Sequence, residues 1–365
     1  MYRRKNGLYE KQITINGRRV AFYGSTEREV LKKIAEYKGE VKKGRTFSTV
    51  AEEWEREHEP EIAYNTWSGY LRPIKDVRAE FDGFRINEIT PAMIQRFINT
   101  YARQGRAKQT IKLRRTVLHQ IFDHAILHGD VLFNPVSAVT VPKNAPKEIR
   151  ALPQDDQIEL VKKSLSFDFG LFAFLLLYTG CRRGEALALR FEDIDRAAGI
   201  IHISRSLYWI GNRPEIKLPK TESGQREIVL LDVLAAAIPS KKTGYLFPSP
   251  SNSESPLLAN EYRTLWERYC KSAGLIKTKQ RVCHNRIINE TVPGITPHQL
   301  RHAYATMLFD AGIDEKDAQE LLGHSKISMT KDVYTHIKRS RKAQTAKKLN
   351  DFTVGQTESN GSKDI

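Results

Sequence analysis

Apolar and polar positions change period several times along the chain, and each change predicts a different element. The apolar and β-branched run from Leu8 to Ile15 is flanked by Asn6-Gly7 and Asn16-Gly17, and Asn-Gly favours the positive φ of tight hairpin turns. Two such turns in series predict a three-stranded antiparallel sheet, with strands near 1–5, 8–15 and 18–23. Thr26-x-x-Glu29 reads as a capping box that opens a helix carrying Val30, Leu31, Ile34 and Ala35 on one face. From residue 46 to about 140 the three-and-four spacing is nearly continuous. Ile94, Phe97 and Ile98 are followed by Ile111, Val117, Leu118, Ile121, Phe122, Ala125 and Ile126, which predicts an almost wholly helical region.

The polar stretch 141–152, with Pro142 and Pro146 and then Pro153, reads as an extended linker. Residues 153–350 mix helices with a short sheet, for which Gly199–Ser204, Glu215–Leu218 and Arg226–Leu231 have strand character and Thr221–Gln225 supplies a turn. The longest apolar stretch, Phe169 to Cys181, ends at Arg182-Arg183. It is shorter than the ~20 residues a membrane helix needs and predicts a buried core helix. The tail, 351–365, is rich in Gly, Ser and Asn and predicts disorder. The fold class is therefore multidomain α+β. It comprises a small N-terminal three-stranded sheet plus helix (1–45), an all-helical domain (46–140), and a mainly helical domain with a short antiparallel sheet (153–350).

Charge adds a partner to this outline. Among 365 residues, 59 Lys and Arg face 43 Asp and Glu, a formal net charge of +16. Such an excess favours a polyanion, since neutralising phosphates releases counterions. Residues 1–45 carry 13 Lys/Arg and 5 Asp/Glu, half of the excess in about an eighth of the length. This reads as a sheet whose basic face docks in a DNA groove. Between Arg96 and Gln120 stand Arg96, Arg103, Arg106, Lys108, Lys112, Arg114 and Arg115 with no acid, a second candidate DNA surface. Cys181, Cys270 and Cys283 form no CxxC pair, so a disulfide framework is not expected and a reducing cytoplasm fits. Cys283-His284 has no second pair to complete a zinc site. The start, Met1-Tyr2-Arg3-Arg4-Lys5, lacks the apolar segment of a secretion signal, and a cytoplasmic location is expected.

Three short boxes carry candidate chemistry. Thr296-Pro297-His298-Gln299-Leu300-Arg301 opens a helix with an N-cap, a proline in the first turn and a capping box. Leu300, Ala303, Tyr304 and Met307 form its buried stripe, which leaves His298 and Arg301 together on the other side near an anion-favouring terminus. In Thr179-Gly180-Cys181-Arg182-Arg183-Gly184-Glu185, Gly180 breaks the apolar helix, and Glu185 is the expected partner of Arg182. Leu322-Gly323-His324 is followed by a segment that puts Tyr334 on a last helix.

Taken in order, these residues resemble the tyrosine recombinase family, the integrases of prophages and conjugative transposons. That family's pattern is an arginine in a TG-x-R-x-x-E box, a lysine on a hairpin, H-x-x-R, LGH and a terminal tyrosine. Arg182, Lys220, His298, Arg301, His324 and Tyr334 follow it here, with Lys220 matched through Lys220-Thr221 and Arg226. The helical region resembles the family's core-site-binding domain, and the basic sheet module resembles an arm-site-binding domain.

The resemblance implies a site-specific recombinase that cuts and rejoins DNA through a 3′-phosphotyrosine, for integration and excision of a mobile element. Arg182 and Arg301 would clamp the non-bridging oxygens in a planar geometry that lysine cannot reproduce. His324 would add a hydrogen bond to the same phosphate, and His298 would be the general base. Lys220 would protonate the departing 5′ oxygen. Tyr334 would attack, its ordinary pKa of ~10 making it dependent on a proton acceptor and a positive field. No cofactor or metal is expected, because the arginines supply the charge. The implied partners are double-stranded DNA at core and arm sites, a homotetramer on that DNA, an excisionase and a host DNA-bending protein. The basic segment Lys338, Arg339, Arg341 and Lys342 would dock on a neighbouring protomer. The rival readings are a type IB topoisomerase-like nicking and resealing enzyme, a DNA-binding regulator without catalysis, and a metal-dependent transposase.

Overall fold

In the computed structural model the described residues are 1–4, 7–15, 18–146, 152–218, 225–241, 243–283, 286–331, 333–335 and 337. They fall into two compact units, residues 1–149 and 150–365. Lys220, the turn residues 221–224, the Asn16-Gly17 pair, His284, the basic segment after Tyr334 and the tail lie outside the described residues.

The first unit begins with β1 (Tyr2–Arg3), β2 (Tyr9–Ile15) and β3 (Arg18–Gly24), an antiparallel sheet in the order β1-β2-β3. Ile15 pairs with Arg18, the register that a two-residue hairpin connection demands. Thr26 accepts from Glu29 N, but Glu29 reaches back one residue further than expected, to the amide and hydroxyl of Ser25. Helix α1 (Glu27–Lys43) buries Val30 and Ile34, whereas Leu31 and Ala35, expected on the same face, are exposed. The buried stripe is therefore narrower than the sequence suggested, because the small sheet covers only one line of the helix.

Helices α2 (Phe47–His58), α3 (Tyr64–Phe81), α4 (Pro91–Arg103) and α5 (Lys108–Leu127) follow. Phe47, Trp54, Phe81, Ile94, Phe97, Ile98, Ile111, Leu118, Ile121 and Phe122 build one aromatic-rich core, from which only Ile126 of the predicted set is excluded. Two of the seven basic residues in the acid-free run serve this core instead of an outer face. Arg114 is buried against Asp76 and lies 4.3 Å over the Tyr101 ring, and Arg115 donates to the carbonyls of Val139 and Val136. Arg96, Arg103, Arg106 and Lys112 remain exposed. Residues 141–146, read as linker, lie on the helical core: Ala145 is buried there and Pro146 O accepts from Lys108 N at 2.7 Å.

The second unit is built on α7, which follows α6 (Asp155–Lys163). The strongly apolar α7 (Gly170–Thr179) is buried along nearly its whole length and ends at Gly180 in the left-handed conformation, φ 60°. Short α8 (Arg183–Ala188) leads into β4 (Ile194–Asp195), β5 (Ile200–Ile203), β6 (Ser206–Ile210), β7 (Arg213–Lys217) and β8 (Arg226–Val229). β4-β5-β8 form an antiparallel sheet and β6-β7 a hairpin, so the three predicted strands are all present. After α9 (Asp232–Ala237), β9 (Pro248–Ser249), β10 (Asn252–Pro256) and α10 (Ala259–Ser272) comes a hairpin absent from the sequence reading, β11 (Ile276–Cys283) with β12 (Arg286–Pro293). Its lysines, threonines and glutamine mask the strand signal. Helices α11 (Pro297–Asp310) and α12 (Glu315–Leu322) follow, then a last described helical segment over 327–331 and 333–335 that carries Tyr334, and no described helix is long and apolar enough to cross a membrane.

Candidate active site

The C-terminal end of α12 is the platform of the site. Gly323, at φ 63°, stops the helix in the left-handed region and turns the chain into His324. Three arginines from three other elements donate to three consecutive carbonyls at this end. Arg226 Nε, at the start of β8, donates to Leu321 O at 3.0 Å, and Arg301 Nη2, in α11, to Leu322 O at 2.5 Å. Arg182 Nη2, at the mouth of α8, donates to Gly323 O at 2.7 Å. A helix C-terminus carries partial negative charge and unsatisfied carbonyls, so it attracts and orients these cations.

Glu185 fixes two of the three. Its carboxylate accepts from Arg182 Nη1 at 2.7 Å, from Arg182 N at 2.8 Å and from Arg226 Nη2 at 2.8 Å. Burial alone would raise this carboxyl, but the hydrogen bond and charge of Arg226, then Arg182, outweigh it and hold Glu185 at about 2. Arg301 is tied on its far side to Gly180 O at 2.7 Å. It is buried, not on the open side of α11 as the sequence predicted, because the end of α7 and the end of α12 close over it. Burial, and then the charge of Arg182, pull its guanidinium down to about 10, which leaves it charged at neutral pH. Three guanidiniums against one carboxylate leave a positive excess, and Arg182, with a side chain 46% exposed, carries it to the surface.

A cleft of about 240 Å³ opens beside this platform, lined by His298, Arg301, His302, His324 and, from the last helical segment, Met329 and Val333. Thr296 caps α11 as predicted, with Thr296 and Gln299 bonding each other's amides, and this places His298 in the first turn. The His298 and His302 rings meet edge to face at 4.5 Å. His324 is buried, with Nδ1 2.9 Å from Thr330 Oγ1. Burial, then Arg301 and Arg182, depress it to about 4, so it is neutral at pH 7.

Of the six predicted residues the structure thus brings Arg182, His298, Arg301 and His324 to one place. Tyr334 is set apart: it is buried in an apolar cluster with Tyr304, Leu308 and Leu322, and its hydroxyl donates to Ile313 O. Burial, then Glu315 and Asp314, push its phenol above the usual range. Two residues the sequence reading left without a role stand in the array: Arg226, the strand-opening arginine that follows Lys220-Thr221, and His302, one turn beyond His298.

The profile of the Phage integrase family matches residues 145–341, more than half of the chain, and that of the phage integrase N-terminal SAM-like domain matches residues 46–101. The chain belongs to the phage integrase family and is a tyrosine recombinase of the integrase type. A protein named tyrosine recombinase XerC-like, from Caldanaerobacter subterraneus subsp. tengcongensis, is 28% identical over 96% of this chain and 98% of its own. The Tn1549 transposon integrase in complex with transposon right end DNA superposes with a TM-score of 0.61 at 23% identity, covering 82% of this chain and 99% of that one. A lambda integrase tetramer bound to a Holliday junction gives 0.58 at 21% identity, covering 91% and 93%. These two structures share the fold.

Proposed function

We propose that this recombinase transfers DNA strands at the α12 platform, with Arg182 and Arg301 holding the scissile phosphate and Tyr334 attacking it. The observation that carries the reading is the trio of arginines fixed on Leu321, Leu322 and Gly323 carbonyls. Their guanidiniums are locked before any phosphate arrives, so little reorganisation is needed as charge grows on the equatorial oxygens. Neutral His324 donates a hydrogen bond to the same phosphate. The hydroxyl of Thr330 can donate to His324 Nδ1, which keeps the proton on Nε2. His298 serves as general base and Lys220 as general acid on the 5′ oxygen. The product is a 3′-phosphotyrosine and a free 5′ hydroxyl; a second 5′ hydroxyl reverses the step and the phosphodiester energy is kept. Arg226 and Glu185 are positioning residues.

In this reading residues 1–45 bind arm sites, 46–140 bind core sites and 153–350 carry catalysis, on a homotetramer assembled on duplex DNA in the cytoplasm. An excisionase and a host DNA-bending protein are its further partners in this reading. The lambda integrase tetramer on a Holliday junction supports the assembly by likeness of fold. The test is covalent capture from a library of duplexes, followed by sequencing of the junctions formed between marked molecules. Recombinant junctions with a denaturant-stable protein–DNA adduct are expected; resealed single duplexes without joint molecules would overturn strand exchange.

A further inference from the structure

Away from the catalytic unit, two helices of the first unit face each other with an uncommon set of side chains. His124 lies in the last turn of α5 and His128 caps that helix, so the two stand one above the other. Their ring centroids are 4.3 Å apart. From α2, Glu57 brings a carboxylate oxygen to 3.6 Å from His124 Nδ1. One ligand atom from each of Glu57, His124 and His128 lies within 4.8 Å of the other two. His124 is buried, and its Nε2 has no hydrogen-bond partner among the described residues. The unpartnered nitrogen faces Glu53 at 3.9 Å, while Nδ1 is the nitrogen turned towards Glu57.

We propose that Glu57, His124 and His128 bind a divalent transition-metal ion, Zn²⁺ by preference, which clamps α2 to α5. Two imidazoles and one carboxylate are the donor set of three-ligand zinc sites, with a fourth position left to water. Donors on one zinc at ~2.0–2.2 Å stand closer together than these do. Glu57 and His128 are both exposed and free to swing inward, while His124 is the fixed point. The metal takes His124 through Nδ1, the nitrogen nearest Glu57. Nε2 then carries the proton, and the carboxylate 3.9 Å away, Glu53, becomes its outer acceptor. Glu53 is itself held by Arg45, whose remaining charge is met by Asp130, so the cation next to the site is neutralised by carboxylates. Helical HxxxH spacing in residues 124–128 was the available sequence signal.

The experiment uses the full chain, stripped with EDTA and dialysed, then titrated with Zn²⁺ alone against a colorimetric chelator and melted with and without the ion. One equivalent of zinc and a zinc-dependent rise in melting temperature are expected. Glu57→Gln and His128→Ala change exposed residues and leave the fold intact; each should weaken uptake at least ~10-fold and remove the thermal shift. His298 and His302 form another helical pair with the same spacing, so His302→Ala is the control and should retain both. Absence of uptake by the parent chain, or uptake unchanged in Glu57→Gln and His128→Ala, would overturn the site. So would uptake lost only in His302→Ala, which would place the ion in the catalytic cleft.

Discussion

The Tyr334 hydroxyl donates to the backbone carbonyl of Ile313 at 3.4 Å, and its ring packs edge-on against Phe309 at 5.1 Å. Its neighbour in sequence, Val333, lines the cationic cleft. The proposed nucleophile is thus stored next to the site, and attack requires its hydroxyl to leave Ile313. A hydrogen bond this long lies at the weak end of the ~0.5–1.5 kcal/mol range, so it adds little to the hold that the apolar cluster has on the ring. Tyr334→Phe should therefore melt within a degree or two of the parent and bind DNA equally well, yet form no denaturant-stable adduct. Gel mobility with and without denaturant checks both halves; an adduct persisting in the variant would reassign the nucleophile.

Arg182 and Glu185 should separate catalysis from stability. The Arg182 side chain is 46% exposed, so its ion pair contributes at most ~1 kcal/mol to folding. Arg182→Lys should keep the unfolding midpoint and lower the cleavage rate by ~10²–10³, the usual cost of one preorganised donor. Glu185→Ala strips the carboxylate from Arg226, whose side chain is only 6% exposed, and should cost ~3–5 kcal/mol in denaturant unfolding. Equal stability losses in the two variants would contradict the assigned geometry.

Gly180 tests the far anchor of Arg301. A Cβ there would sit 2.3 Å from the Tyr304 ring, and φ is +60°. Gly180→Ala carries both a steric and a backbone penalty, and should destabilise by more than ~1 kcal/mol. Because Gly180 O receives Arg301 Nη1, the shift should also slow cleavage beyond what lost stability explains. Cleavage measured well below the melting temperature separates the two effects.

Much of this site was legible because its boxes have local causes. Thr296, Pro297 and Gln299 announce α11, Gly180 and Gly323 mark helix ends at positive φ, and Glu185 pairs with Arg182 three residues away. The contacts that sequence spacing could not supply are tertiary: Arg226 on Leu321 O spans 95 residues and Arg301 on Gly180 O spans 121. Periodicity put Arg301 on the open side of its helix, and two helix ends then folded over it. The same limit applies to Arg114, whose partner Asp76 lies on another helix, so a run of positive charge read as surface. The β11–β12 hairpin was hidden by polar residues on both strands, which lack the alternating pattern of a half-buried sheet.

His324 provides a pH signature. Its folded pKa of about 4 lies below the ordinary 6.5, with burial the largest cause and Arg301 and Arg182 next. Between these values the unfolded chain takes up a proton that the folded chain refuses. Stability contributed by this group is therefore complete above pH ~6.5 and falls as pH drops to about 4, by a few kcal/mol at most. His324→Gln should remove this slope: the difference in unfolding free energy between parent and variant should grow as pH rises from 4 to 6.5 and then stay level. Denaturant titrations at intervals of half a pH unit measure it directly, and carboxylate titrations common to both chains cancel in the difference. A difference independent of pH would mean that His324 protonates normally in the folded state, as it would if the cleft were open to water and the paired arginines were not held beside it.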